Sequence, residues 1–66
     1  MAFLPQTGEY DGARWTTLIH PNGGMLVTVY LKNGEQRTRE SPTPEDRPTL
    51  EEIQWRIKRW HGGLDT

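Results

Sequence analysis

Residues 26–40, LVTVYLKNGEQRTRE, decide the fold of this chain. A run of β-branched and aromatic residues enters Asn33-Gly34, and a polar alternating run leaves it. This is a strong short-range hairpin signal, because Asn and Gly both tolerate the positive φ of a two-residue type I′ turn. With Asn33 and Gly34 as the loop, Lys32 opposes Glu35, Tyr30 opposes Arg37 and Thr28 opposes Arg39. Opposed residues share a face of the sheet. One face then carries Thr28, Tyr30, Lys32, Glu35, Arg37 and Arg39. The other carries Val27, Val29 and Leu31 with Gln36, Thr38 and Glu40, and its β-branched set marks it as the core face.

Upstream, ARWTTLIHPNGGMLV (13–27) reads as a second hairpin. An odd-numbered loop around Asn22-Gly23-Gly24 places Trp15, Thr17 and Ile19 beside Val27 and Val29. An even loop places Arg14, Thr16 and Leu18 there. The odd loop is preferred, since it buries Trp15 and leaves Arg14 in water, whereas the even loop desolvates a charge. Three antiparallel strands are expected, near 13–20, 25–32 and 35–40. The first twelve residues, MAFLPQTGEYDG, are read as an N-terminal arm outside them.

Downstream, SPTPEDRP (41–48) contains three prolines, which neither pair in a sheet nor extend a helix. It is read as a stiff connector. TLEEIQWRIKRWHGG (49–63) then has helix start and stop signals. Thr49 is an N-cap, Glu52 completes a capping box, and Gly62 and Gly63 supply the C-cap. Glu51 and Glu52 lie near the positive end of the helix dipole, and Arg56, Lys58 and Arg59 near the negative end. A helix over about 50–61 is expected. At about 100° per residue, Leu50, Ile53, Ile57 and Trp60 fall in one stripe, which packs on Trp15, Ile19, Val27, Val29 and Leu31. The fold class is therefore α+β: a three-stranded antiparallel sheet in β-β-β-α order with one C-terminal helix on one face, forming one small domain over 13–66.

The chain has 66 residues, room for one thin-cored domain. It has no Cys, so no disulfide framework and no thiolate metal site. No apolar run approaches the roughly 18 residues of a membrane span, and MAFLP lacks the basic flank and apolar length of a signal peptide. A cytoplasmic protein with no membrane association is expected. The net charge is −1, but it is segregated. Residues 1–13 carry Glu9 and Asp11 without a base. Residues 14–39 carry Arg14, Lys32, Arg37 and Arg39 against Glu35. Residues 40–52 carry Glu40, Glu45, Asp46, Glu51 and Glu52 against Arg47, and residues 53–66 carry Arg56, Lys58 and Arg59 against Asp65.

Catalytic chemistry finds little support. The one serine, Ser41, lies in the connector. Glu51 and Glu52 are explained by the helix start, and no Gly-rich phosphate motif is present. His20 and His61 lack a second ligand at metal-binding spacing, so neither metal nor cofactor is expected. His61 is read as serving the helix C-terminus. Ser-Pro and Thr-Pro pairs in SPTP fit a rigid connector better than a recognition segment.

Two surfaces remain. Trp55 lies about 180° from the core stripe, with Glu51, Lys58 and Arg59 around it. Its alternatives are an interface anchor, for a protein partner or a second copy, and a dock for Phe3, Leu4 or Tyr10 of the arm. The second surface is the basic, partly aromatic sheet face of Arg14, Thr28, Tyr30, Arg37 and Arg39, which on a three-stranded sheet has the makings of a nucleic-acid reader. The acidic connector and arm weigh against that use, because phosphate contacts dominate such affinity. The expected function is a small non-enzymatic protein-binding, adaptor or regulatory protein acting through Trp55, Arg59, Lys58 and Glu51. A nucleic-acid-binding module is the alternative.

Overall fold

The computed structural model describes residues 4–63. Strands β1 (Thr7–Tyr10), β2 (Ala13–Ile19), β3 (Met25–Tyr30) and β4 (Gln36–Ser41) form one antiparallel sheet in the order β1-β2-β3-β4. A 3-10 turn at Pro44–Asp46 follows, then helix α1 (Leu50–His61). The fold is α+β with a single C-terminal helix, as expected, but the sheet has four strands rather than three.

The added strand comes from the stretch read as an arm. Asp11 and Gly12 have φ of 54° and 85°, so both loop residues of a tight hairpin are left-handed. Tyr10 opposes Ala13 and Gly8 opposes Trp15. The Trp15 indole lies across Gly8, where a Cβ would fall 2.3 Å from the ring. Trp15 Nε1 donates to the Pro5 carbonyl at 3.2 Å. β1 thus forms less on its own propensity than as a cover for a core tryptophan.

The β2–β3 hairpin has the odd loop. Trp15 opposes Val29, Thr17 opposes Val27 and Ile19 opposes Met25. The loop is closed by His20 N–H donating to Gly24 O at 2.9 Å. The Arg47 guanidinium donates to Gly23 O through Nε (3.0 Å) and Nη2 (2.6 Å), which ties the connector to this loop.

The β3–β4 hairpin departs from its expected register by one residue. Tyr30 opposes Gln36, Val29 opposes Arg37, Thr28 opposes Thr38 and Val27 opposes Arg39. The loop has three residues, Lys32, Asn33 and Gly34. Gly34 N–H donates to Leu31 O at 3.0 Å, and Leu31 N–H donates to Glu35 O at 2.7 Å. Only Gly34 of the three is left-handed, with φ 91°, which is a type I turn followed by a bulge. The Asn33 side chain favours this form: its Oδ1 accepts from Glu35 N–H at 2.9 Å and its Nδ2 donates to Glu35 Oε1 at 2.8 Å. The slip turns Arg37, Arg39 and Ser41 to the helix side and sends Gln36, Thr38 and Glu40 outward.

Val27, Val29, Ile53 and Ile57 are fully buried, with Ala13, Trp15, Met25, Leu31 and Trp60 around them and Leu4, Tyr10 and Leu50 packed at the border. The helix stripe is as its period predicts. Ile19 is not: it has the right parity but stays exposed, at the end of β2, in a groove shared with Leu4, Thr17, Met25 and Arg47. Ser41 is buried instead, and its hydroxyl donates to Met25 O at 3.2 Å.

Candidate functional site

Helix α1 starts where Thr49 Oγ1 accepts from Glu52 N–H at 3.1 Å. It ends as Gly63, with φ 88°, donates its N–H to Trp60 O at 3.0 Å. These caps fix the helix phase, and the phase fixes which tryptophan is buried. Trp60 is in the core. Trp55 is 52% exposed. The exposed positions Glu51, Trp55 and Lys58 run along the side of the helix away from the sheet. The Arg59 guanidinium carbon lies 4.6 Å from the centre of the Trp55 ring, a cation–π contact that holds the indole against the helix surface. Lys58 leans the other way, with Nζ 6.0 Å from the Tyr10 ring centre. Of the residues proposed to cover Trp55, Leu4 and Tyr10 pack against the core cluster instead, and Phe3 lies outside the described residues.

The structure divides the other candidate surface. Arg14, Thr28 and Tyr30 share the outer face, on which Arg14 directly opposes Tyr30. Arg37 and Arg39 point to the opposite face, because β4 is shifted by one residue. Arg39 there donates through Nε to Glu52 Oε2 at 2.8 Å and through Nη2 to Asp46 O at 3.0 Å. Arg56 donates to the same Glu52 oxygen at 2.8 Å. Glu52's carboxylate therefore joins helix to sheet rather than returning to the Thr49 N–H as in a capping box. Partial burial pushes this carboxyl up, but the hydrogen bonds from Arg39 and Arg56 outweigh it and hold Glu52 below the usual carboxylate range. The same pairing holds the Arg39 guanidinium above its ordinary value, against partial burial.

His61 has a role that its place at the helix end did not reveal. Lys32 N–H donates to Nε2 at 3.2 Å, so that nitrogen accepts and the proton stays on Nδ1. Nδ1 then donates to Asp11 Oδ2 at 3.2 Å. One imidazole ties the last turn of α1 to the β1–β2 and β3–β4 turns. The bond from His61, ahead of the nearby positive charges, holds Asp11 below its ordinary value. The Asp11-Gly12 pair was the one sequence signal for this contact.

Among the described residues no group of three His, Asp or Glu is placed to hold a metal ion. No helix of the described residues is long and apolar enough to cross a membrane. No protein-family model, curated protein or solved structure matches the chain.

Proposed function

We propose that this is a small, non-enzymatic protein-binding module, an adaptor or regulator, that takes its partner on the outer side of α1. Trp55 is the anchor, and Arg59, Lys58 and Glu51 form its polar border. The observation that carries this is the half-exposed indole, braced by a guanidinium and left uncovered by Leu4 and Tyr10, in a chain with so few large apolar residues to spare. Tryptophan and arginine are the residues most enriched at interface hot spots, and an apolar centre with a charged rim is the usual anatomy of such a patch. A chain without Cys is compatible with the cytoplasm, which is the location this reading assumes, and equally with an oxidising compartment. The test is affinity capture with wild type, Trp55→Ala and Arg59→Ala as baits, read by quantitative mass spectrometry. A partner retained by wild type is depleted at least about tenfold with Trp55→Ala, the size expected for a hot spot, and less with Arg59→Ala. Capture unchanged by Trp55→Ala removes this face as the site.

A further inference from the structure

The strand registers order the outer face of the sheet into three rows running across the strands. Thr7 opposes Thr16, Thr16 opposes Thr28, and Thr28 opposes Thr38, so one threonine from each strand forms an unbroken central row. On one side lies the row Glu9, Arg14, Tyr30, Gln36. On the other lies Leu18, Leu26, Glu40. The helix covers the opposite face. Leu18 is 59% and Tyr30 48% exposed. Arg14 is exposed, and its side chain makes no hydrogen bond or ion pair with the described residues. Beside it is a shallow depression lined by Thr7, Glu9, Thr16 and Tyr30.

We propose that this face binds a second copy of the same chain, sheet on sheet, about a twofold axis parallel to the strands and midway between β2 and β3. The rows themselves select this occupant. Such an axis exchanges β2 with β3 and β1 with β4, and keeps each row opposite itself. Arg14 then faces Tyr30 of the second copy, a cation over an aromatic ring, and that ring seats in the depression beside Arg14. Glu9 faces Gln36, whose amide donates to the carboxylate. Thr7 faces Thr38, Thr16 faces Thr28, and Leu18 faces Leu26, gathering four leucines where one copy leaves its own pair wet. The two Arg14 side chains flank the axis about one strand spacing (~4.8 Å) apart, each beside Glu9 of its own copy, which offsets their repulsion. An axis across the strands instead sets Arg14 on Leu18 and Tyr30 on Leu26, which desolvates the guanidinium without a partner. Self-complementarity under one operator is what an isologous interface requires, and aligned packing is one of the two ways in which sheets stack.

The size of the face sets the strength. Four strands at roughly 4.8 Å and about six residues at roughly 3.4 Å span about 400 Å² of sheet. Counted on both copies that is about 800 Å², below the roughly 1,200–2,000 Å² of stable specific interfaces and in the range of weak, transient contacts. The dimer is therefore weak and concentration-dependent. The helices lie on the outer surfaces of the pair, so the two Trp55 faces point apart and stay clear of the dimer contact.

Sedimentation velocity from about 5 µM to about 1 mM tests this, since that range brackets a weak dissociation constant. Wild type shifts from monomer to dimer. Leu18→Glu and Arg14→Ala weaken the dimer at least about tenfold and keep a melting curve close to wild type at low concentration, because both side chains are exposed. Trp55→Ala dimerises as wild type does, so this test and that of the helix face fail independently. An isotope-filtered NOE between the Thr16 methyl of one copy and the Thr28 methyl of the other appears in a mixed-label sample. A wild type still monomeric at the highest concentration overturns the proposal. So does a dimer indifferent to Leu18→Glu and Arg14→Ala, one lost in Trp55→Ala, or one without the NOE.

Discussion

Gly8→Ala is a sensitive probe of how β1 joins the sheet. The backbone at Gly8 does not need glycine's left-handed freedom, so the substitution is a test of space alone. A Cβ built there falls 2.3 Å from Trp15 Cζ2, 2.6 Å from Cη2 and 2.9 Å from Cε2. The indole is 3% exposed and anchored by its bond to Pro5 O, so it has little room to retreat. Overpacking of this kind costs roughly 1–3 kcal/mol. Displacing the ring also weakens the Nε1 bond, worth about 0.5–1.5 kcal/mol. Against this, alanine restricts the unfolded chain and returns about 0.4–1 kcal/mol. The net expectation is a destabilisation of about 1–3 kcal/mol. In a domain of this size each kcal/mol lowers the melting temperature by roughly 4–8 °C. Thermal unfolding followed by far-UV circular dichroism, with tryptophan fluorescence as a second probe, reads the effect. A variant as stable as wild type, or more so, would refute the packing of Trp15 on β1.

Trp60→Ala removes the largest side chain of the core stripe and is expected to cost about 3–5 kcal/mol, most of the stability of so small a domain; denaturant titration measures it. Glu52 has a depressed folded-state pKa, so its contribution is full above the unfolded value near 4.5 and is lost as pH falls through the lower folded value. The melting temperature should fall below about pH 4.5. Glu52→Gln should be less stable than wild type at pH 7 and should lose part of that acid slope, as pH-dependent melting curves would show. Asp11 and Glu35, both lowered at exposed positions, keep a small remainder of the slope in the variant.

What was legible in the sequence divides along physical lines. The helix, its stripe and its Trp55 side follow from a period of 3.6 residues confirmed by caps at both ends, and all are observed. The parity of the β2–β3 hairpin was legible because its two choices differ sharply, burying either Trp15 or Arg14. The β3–β4 hairpin offers no such contrast. Val27, Val29 and Leu31 face the core in either register, while β4 is polar on both faces. Its register is set by contacts no local pattern displays: the Asn33 side chain on Glu35, and Arg39 reaching Glu52 and Asp46. The alternative register would place Glu40 on the face that already holds Asp46 and Glu52. That one-residue slip took Arg37 and Arg39 away from Arg14, Thr28 and Tyr30, and with them the basic face. β1 was hidden differently, since Thr-Gly-Glu-Tyr carries no apolar alternation and forms because Trp15 needs Gly8 beneath it.

The unfolding free energy of Trp55→Ala tests most directly the claim on which the proposed binding face rests: that this chain places one of its three tryptophans at the surface rather than in its core. Loss of the contact with Arg59 removes about 0.5–1 kcal/mol, and the higher helix propensity of alanine returns a few tenths. Stability within about 1 kcal/mol of wild type is therefore predicted. A loss of about 3 kcal/mol or more, the size of a core truncation, would contradict the claim and show that the fold itself depends on Trp55.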